Sequence, residues 1–212
     1  MAILAASRRS DYRHLVIPVG TTWFCSQDWG YNAKGVILWW ADLGDGHWHV
    51  AQELVHRQTT AEDVAKAWHA TNRALGGVKP SAVVGDPSMW AKTGHGRGES
   101  IAETLQRYRL PMVRGDNDRK NGWQRGHELL REAPDGWPWV TIDAVRCAYL
   151  ARTLPAQVSD KHDADDINTN GDDHGDAGGA AGGGSAGQPG GSGDGGTAGD
   201  AAGVGGGGGR VD

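Results

Sequence analysis

The stretch from Gly35 to Leu43, GVILWWADL, carries a single charged residue and is apolar on both of the faces a β-strand would present. A half-exposed strand alternates apolar and polar residues, so a run of this kind fits a strand covered on both sides, in a sheet with a layer packed on each face. Gly44, Asp45 and Gly46 then offer a tight turn, and His47 to Val55 returns as the second arm of a hairpin. Upstream, Thr22 to Gln27 reads as another strand, with Trp23 and Cys25 on one face and Phe24 on the other, ending at Asp28, Trp29 and Gly30. The fold therefore opens with a three-stranded antiparallel meander.

From Thr60 the period of the pattern changes. Val64, Ala67, Trp68 and Leu75 recur at helical spacing behind Thr59 or Thr60 as N-cap, and Gly76 and Gly77 stop the helix. Short strands at Ser81 to Gly85, Pro111 to Arg114 and Trp139 to Ile142 alternate with helices at Ser100 to Tyr108, Asn121 to Glu132 and Ala144 to Leu154. A meander followed by alternating helices and strands predicts an α/β domain with a mixed sheet and helices on both faces. That is the element order of a ribonuclease-H-like domain.

Composition matters most at the C-terminus. Of 35 glycines in 212 residues, 18 fall in residues 177–212, which contain no Leu, Ile, Phe, Trp or Tyr. Such a segment buries too little apolar surface to offset its ordering entropy and is expected to be a disordered tail. The expected organisation is an N-terminal arm at 1–12, a folded domain at 13–176 and the tail at 177–212. Residues 160–176 carry seven Asp against one Lys, while residues 1–159 carry a net charge of +3. A weakly basic body thus ends in a concentrated acidic run, which suits a cation better than a phosphate. Cys25 and Cys147 lie among apolar residues and read as buried free thiols. No apolar run approaches the roughly 18 residues of a membrane span, and no secretory cleavage pattern follows the start, so the expected location is cytoplasmic.

Asp28 and Asp86 occupy equivalent places, each at a strand end and each followed closely by a residue that breaks regular structure, Gly30 or Pro87. If their strands are neighbours, pairing about 4.8 Å apart brings both carboxylates to one edge of the sheet, within reach of a common cation. The acidic run, with Asp163, Asp165, Asp166, Asp172, Asp173 and Asp176 around His174, is a third source of carboxylates. Clustered carboxylates ionise together only beside a compensating charge, which a hard divalent cation supplies. Taken singly, each of these features also fits an ordinary turn residue or a solvated linker. His47 and His49 share a strand face but lack a third ligand and read as solvent-exposed residues.

Four segments resemble, in order, the C-terminal nuclease domain of tailed-phage terminase large subunits. They are Asp28-Trp29-Gly30-Tyr31, Val84-Gly85-Asp86-Pro87-Ser88, the segment Arg146 to Pro155, and Asp166 to His174, with the lead-in Arg13 to Pro18 adding to the likeness. The resemblance implies a metal-dependent DNA endonuclease that cuts concatemeric phage DNA during genome packaging, using two Mg²⁺ or Mn²⁺ ions. It implies metal-binding roles for Asp28 and Asp86, with Asp176, or else Asp173, as third ligand. Its implied partners are double-stranded DNA, a separate terminase ATPase subunit, the small terminase subunit and the portal, all in the host cytoplasm. Lys92, His95 and Arg97 in a Gly-rich loop, with Arg114, Arg119, Lys120 and Arg125, are candidates for neutralising DNA phosphates. Trp90 and Trp123 lie nearest these basic segments.

Two departures from the family pattern bear on function. No G-x-x-x-x-G-K-[ST] occurs, so the ATPase motor that precedes this domain in the family is not encoded here, and a separately encoded nuclease half or a fragment is expected. After Asp176 the sequence turns Gly-rich where the family continues a helix, and one residue is missing between His174 and Asp176. This leaves room for a catalytically impaired DNA- or partner-binding remnant, and for a resolvase- or integrase-type nuclease, beside the endonuclease reading.

Overall fold

The computed structural model describes residues 15–44, 46–92, 98–116 and 118–154. The expected arm, acidic run and tail lie outside them. Six strands form one sheet: β1 (Trp23–Asp28), β2 (Gly35–Gly44), β3 (His47–His56), β4 (Val83–Gly85), β5 (Met112–Arg114) and β6 (Val140–Ile142), in the order β5-β4-β1-β2-β3-β6. The β1-β2 and β2-β3 pairs are antiparallel, and β1-β4, β4-β5 and β3-β6 are parallel. This is the mixed, ribonuclease-H-like sheet that the element order predicts, extended by β6 beyond β3.

The apolar run on β2 does what its composition requires. Ile37, Trp39 and Ala41 enter one hydrophobic cluster, and Val36, Leu38 and Trp40 enter a second on the opposite face. Helices α1 (Ala61–Ala74) and α2 (Ile101–Arg107) cover the first face through Val64, Trp68 and Leu105. On the second face, Leu129 of α3 (Arg119–Leu129) and Leu150 of α4 (Ala148–Thr153) pack against Val140 and Ile142. Burying side chains of this size stabilises the fold by about 1.5–3 kcal/mol each. Polar anchors fix the layers: the indole N–H of Trp39 donates to Asn72 Oδ1 of α1 at 2.7 Å, and that of Trp68 reaches Cys25 Sγ at 3.4 Å. Both cysteines are buried free thiols, and desolvation raises their pKa above the usual thiol range.

Helix boundaries follow local capping. Thr60 accepts the Asp63 N–H at 3.2 Å, and Ser100 with Glu103 forms a reciprocal capping box. Two helices differ from the expected ranges. Asp118 caps α3, so it starts at Arg119 rather than Asn121, and it ends at Leu129. The fourth helix starts at Ala148, not Ala144, because the Asp143 carboxylate accepts the N–H groups of Val145 and Arg146 at 3.0 and 2.9 Å and holds a turn there. Glu53 of β3 then takes over as cap, accepting the N–H of Tyr149 at 2.6 Å and of Leu150 at 2.9 Å.

Candidate active site

Asp28 is the last residue of β1, and Asp86 directly follows β4. These strands pair in parallel with Gln27 opposite Gly85, and the Asp86 N–H donates to the Gln27 carbonyl at 3.2 Å. Carrying the register one step further sets Asp28 beside Asp86, about 4.8 Å apart along the hydrogen-bonding direction. Alternation sets them on the same face. Phe24 packs in the cluster around Trp40, Ser26 accepts the Trp40 indole N–H at 2.9 Å, and Asp28 is the next residue of that set. On β4, Val83 belongs to the opposite cluster, so Val84 and Asp86 share the face of Asp28.

Asp86 is buried and oriented from within its own turn. Its Oδ1 accepts the Ser88 N–H at 2.7 Å and so caps the 3₁₀ turn Pro87–Trp90, with Pro87 fixing the first residue of that turn. Asp28 is half-buried at the strand end. Because β1, β4 and β5 run parallel, the segments after β4 and β5 emerge at this same edge, where exposed Arg114 ends β5; Lys92 is exposed in the segment after β4 and α3 follows β5. Arg119 and Lys120 open α3, and Trp123 lies within it. Trp90 packs partly buried against the core. His95, Arg97, Asp173 and Asp176 lie outside the described residues, as does the rest of the acidic run. Helix α4 packs on the Asp28 face, and the described chain ends on that face at Leu154.

The reverse face beneath this edge is unusual. Among the described residues, fully buried Gln27 finds no hydrogen-bond partner for its side-chain oxygen or nitrogen, and buried His56 finds none for either ring nitrogen. Burial alone pulls the His56 pKa down from 6.5 to about 4. Its ring lies against Trp29 at 5.1 Å and over Gly35, where an added Cβ would clash with the imidazole. Glycine at position 35 is what lets the imidazole lie across the strand.

The histidine pair of β3 departs from expectation. His49 is buried, not exposed, because β6 covers it: His49 pairs with Thr141, and its Nδ1 lies 2.8 Å from the Thr141 hydroxyl. Desolvation lowers its pKa to about 4 against the pull of Asp143, with Arg146 adding to the lowering. His47 is half-buried, stacked on Trp139 and 3.1 Å from Asp135. No local sequence pattern marks Glu53, Asp143 or Lys34 for a role. The available signal for Lys34 was its place two residues before Val36 in the alternating set Lys34, Val36, Leu38.

No protein-family model and no curated protein matches the chain. Solved structures do. The large terminase of a thermophilic bacteriophage aligns with 76% of this chain at a TM-score of 0.58 and 17% identity, and the same protein in complex with ADP aligns with 78% at 0.58 and 16%. The P22 large terminase nuclease domain aligns with 74% of this chain and 77% of its own length at a TM-score of 0.52 and 15% identity. The chain spans 39% of the thermophilic phage protein. The fold is therefore that of a terminase nuclease domain.

Proposed function

We propose that the chain is a metal-dependent DNA endonuclease of terminase type that cuts concatemeric phage DNA. The observation that carries this reading is the register of β1 and β4, which sets Asp28 and Asp86 side by side on one face of a terminase-nuclease sheet. Two such carboxylates are hard oxygen donors of the kind Mg²⁺ and Mn²⁺ take. Among the described residues no three acidic, His or Cys side chains converge. The third donor in this proposal, Asp176 or Asp173, comes from the chain beyond α4.

Divalent ions held there would supply Lewis-acid stabilisation of a scissile phosphate, a nucleophilic water at neutral pH and charge balance for the leaving oxygen. The protein's own part is positional. Ser88 fixes the Asp86 carboxylate, and the pairing of β1 with β4 fixes its spacing from Asp28. Lys92, Arg97, Arg119 and Lys120 are assigned to the DNA phosphates flanking the cut. A terminase ATPase, the small terminase subunit and the portal are the proposed partners in packaging. The test is cleavage of supercoiled plasmid with added Mn²⁺ or Mg²⁺, lost in Asp28→Ala and Asp86→Ala. Equal cutting by both variants would reject the site, and salt-dependent DNA binding without cutting would favour a binding remnant.

A further inference from the structure

Beside the carboxylates lies a cationic pair with no part in the cleavage chemistry proposed above. The Lys34 ammonium sits 4.8 Å from the centroid of the Tyr149 ring, and the Arg152 guanidinium sits 5.6 Å from the same centroid. Tyr149 packs in the cluster of Val36 and Leu38, so its contact with Lys34 sets that ammonium on the Asp28 face. Val36 is the direct partner of Asp28 across the antiparallel ladder. Lys34 directly precedes β2, two positions from Val36.

Two cations against one ring repel each other, a cost that a further anion lowers. Among the described residues neither forms an ion pair. Glu53 attracts Arg152 at longer range while its oxygens accept the N–H groups of Tyr149 and Leu150, and Lys34 has no carboxylate at ion-pair distance among the described residues. A backbone phosphate of DNA is an anion that two such cations attract. We propose that Lys34 and Arg152, set by the Tyr149 ring, grip a phosphate of the DNA strand that enters the Asp28 and Asp86 pocket, with Lys34 the nearer to the scissile bond. The proposal rests on the nuclease reading for its cleavage arm and stands apart from it in its binding arm.

The variants are Lys34→Met, which keeps an apolar stem on the ring, Lys34→Arg, which restores the charge, and Arg152→Ala. Duplex binding is followed by fluorescence anisotropy in Ca²⁺ across a salt series, and cleavage in Mn²⁺. Each lost contact should lower the magnitude of the log-affinity against log-salt slope by about 1. Lys34→Met should also cut on the order of 100-fold more slowly, and Lys34→Arg should recover most of that loss. A Lys34→Met protein that binds and cuts like the parent, while Asp86→Asn is inactive, would overturn the pair and leave the nuclease standing. If the parent binds DNA without cutting, the nuclease reading falls, and the unchanged or reduced slope of Lys34→Met then decides this proposal by itself.

Discussion

Asp86 and Asp143 make an instructive contrast, because locally they are nearly the same residue. Each is buried, each follows a short strand that joins the sheet in parallel, and each uses Oδ1 to accept an N–H two residues on, at 2.7 Å from Ser88 and 3.0 Å from Val145. Their surroundings differ. Asp143 lies beside His49, is 3.8 Å from Arg146 and starts the turn into α4, in a region where Glu53, His49 and Thr141 are all hydrogen-bonded. Asp86 lies beside a second aspartate, above a buried Gln27 and a buried His56 whose side chains have no hydrogen-bond partner among the described residues. A strand-end aspartate is thus ordinary capping chemistry. In the proposed function it is the residue across the ladder that makes Asp86 a site, and unsatisfied polar groups gather where function, not stability, sets the residue choice.

The contrast breaks most visibly in activity. Asp86→Asn should lose at least about 100-fold in plasmid cleavage, since even residues supporting metal ligands are worth roughly 10–100-fold. Asp143→Asn should cut at the parent rate. Equal losses in both variants would make the two aspartates equivalent and erase the distinction.

Acid should test the buried histidines of both regions. Each is held neutral in the fold, with a pKa lowered from 6.5 to about 4, so between these values the unfolded chain binds more protons and stability rises with pH. Their contribution is complete above pH 6.5 and is lost as pH falls to about 4. The ceiling is about 1.4 kcal/mol per pH unit for each histidine, and water screening takes the His56 share below it. Urea midpoints measured across that window should fall for the parent and fall less for His56→Phe. A flat parent profile would contradict the burial argument.

Two smaller effects should have opposite signs. Glu53→Ala removes the acceptor for both N–H groups at the start of α4 and should cost about 1–2 kcal/mol in denaturant unfolding. Gln27→Leu removes two buried unpaired polar atoms and should stabilise by about 1 kcal/mol. A destabilised Gln27→Leu would show that the amide is paired in solution, and the contrast in polar satisfaction would fail.

Much of this arrangement was legible beforehand, for reasons specific to certain residues. The unbroken apolar run on β2 announces a strand covered on both faces, and Thr60 and Ser100 mark helix starts by local chemistry alone. Asp28 and Asp86 were visible because strand ends followed by Gly or Pro are local signals. What lay hidden depends on pairing between distant segments. His49 reads as exposed until β6, about 90 residues later, pairs with its strand. The late start of α4 comes from Asp143 competing for backbone N–H groups, and the cap comes from Glu53, 96 residues upstream of Tyr149. Lys34 gains meaning only when α4 brings Tyr149 onto the same face.

The central claim is that Asp28 and Asp86 hold one ion between them. Anomalous diffraction from crystals of the full chain soaked in Mn²⁺ tests it directly. The expected result is a manganese peak within about 2.0–2.3 Å of carboxylate oxygens from both residues. Manganese bound to either residue alone, or absent from this edge while DNA cleavage persists, would contradict it.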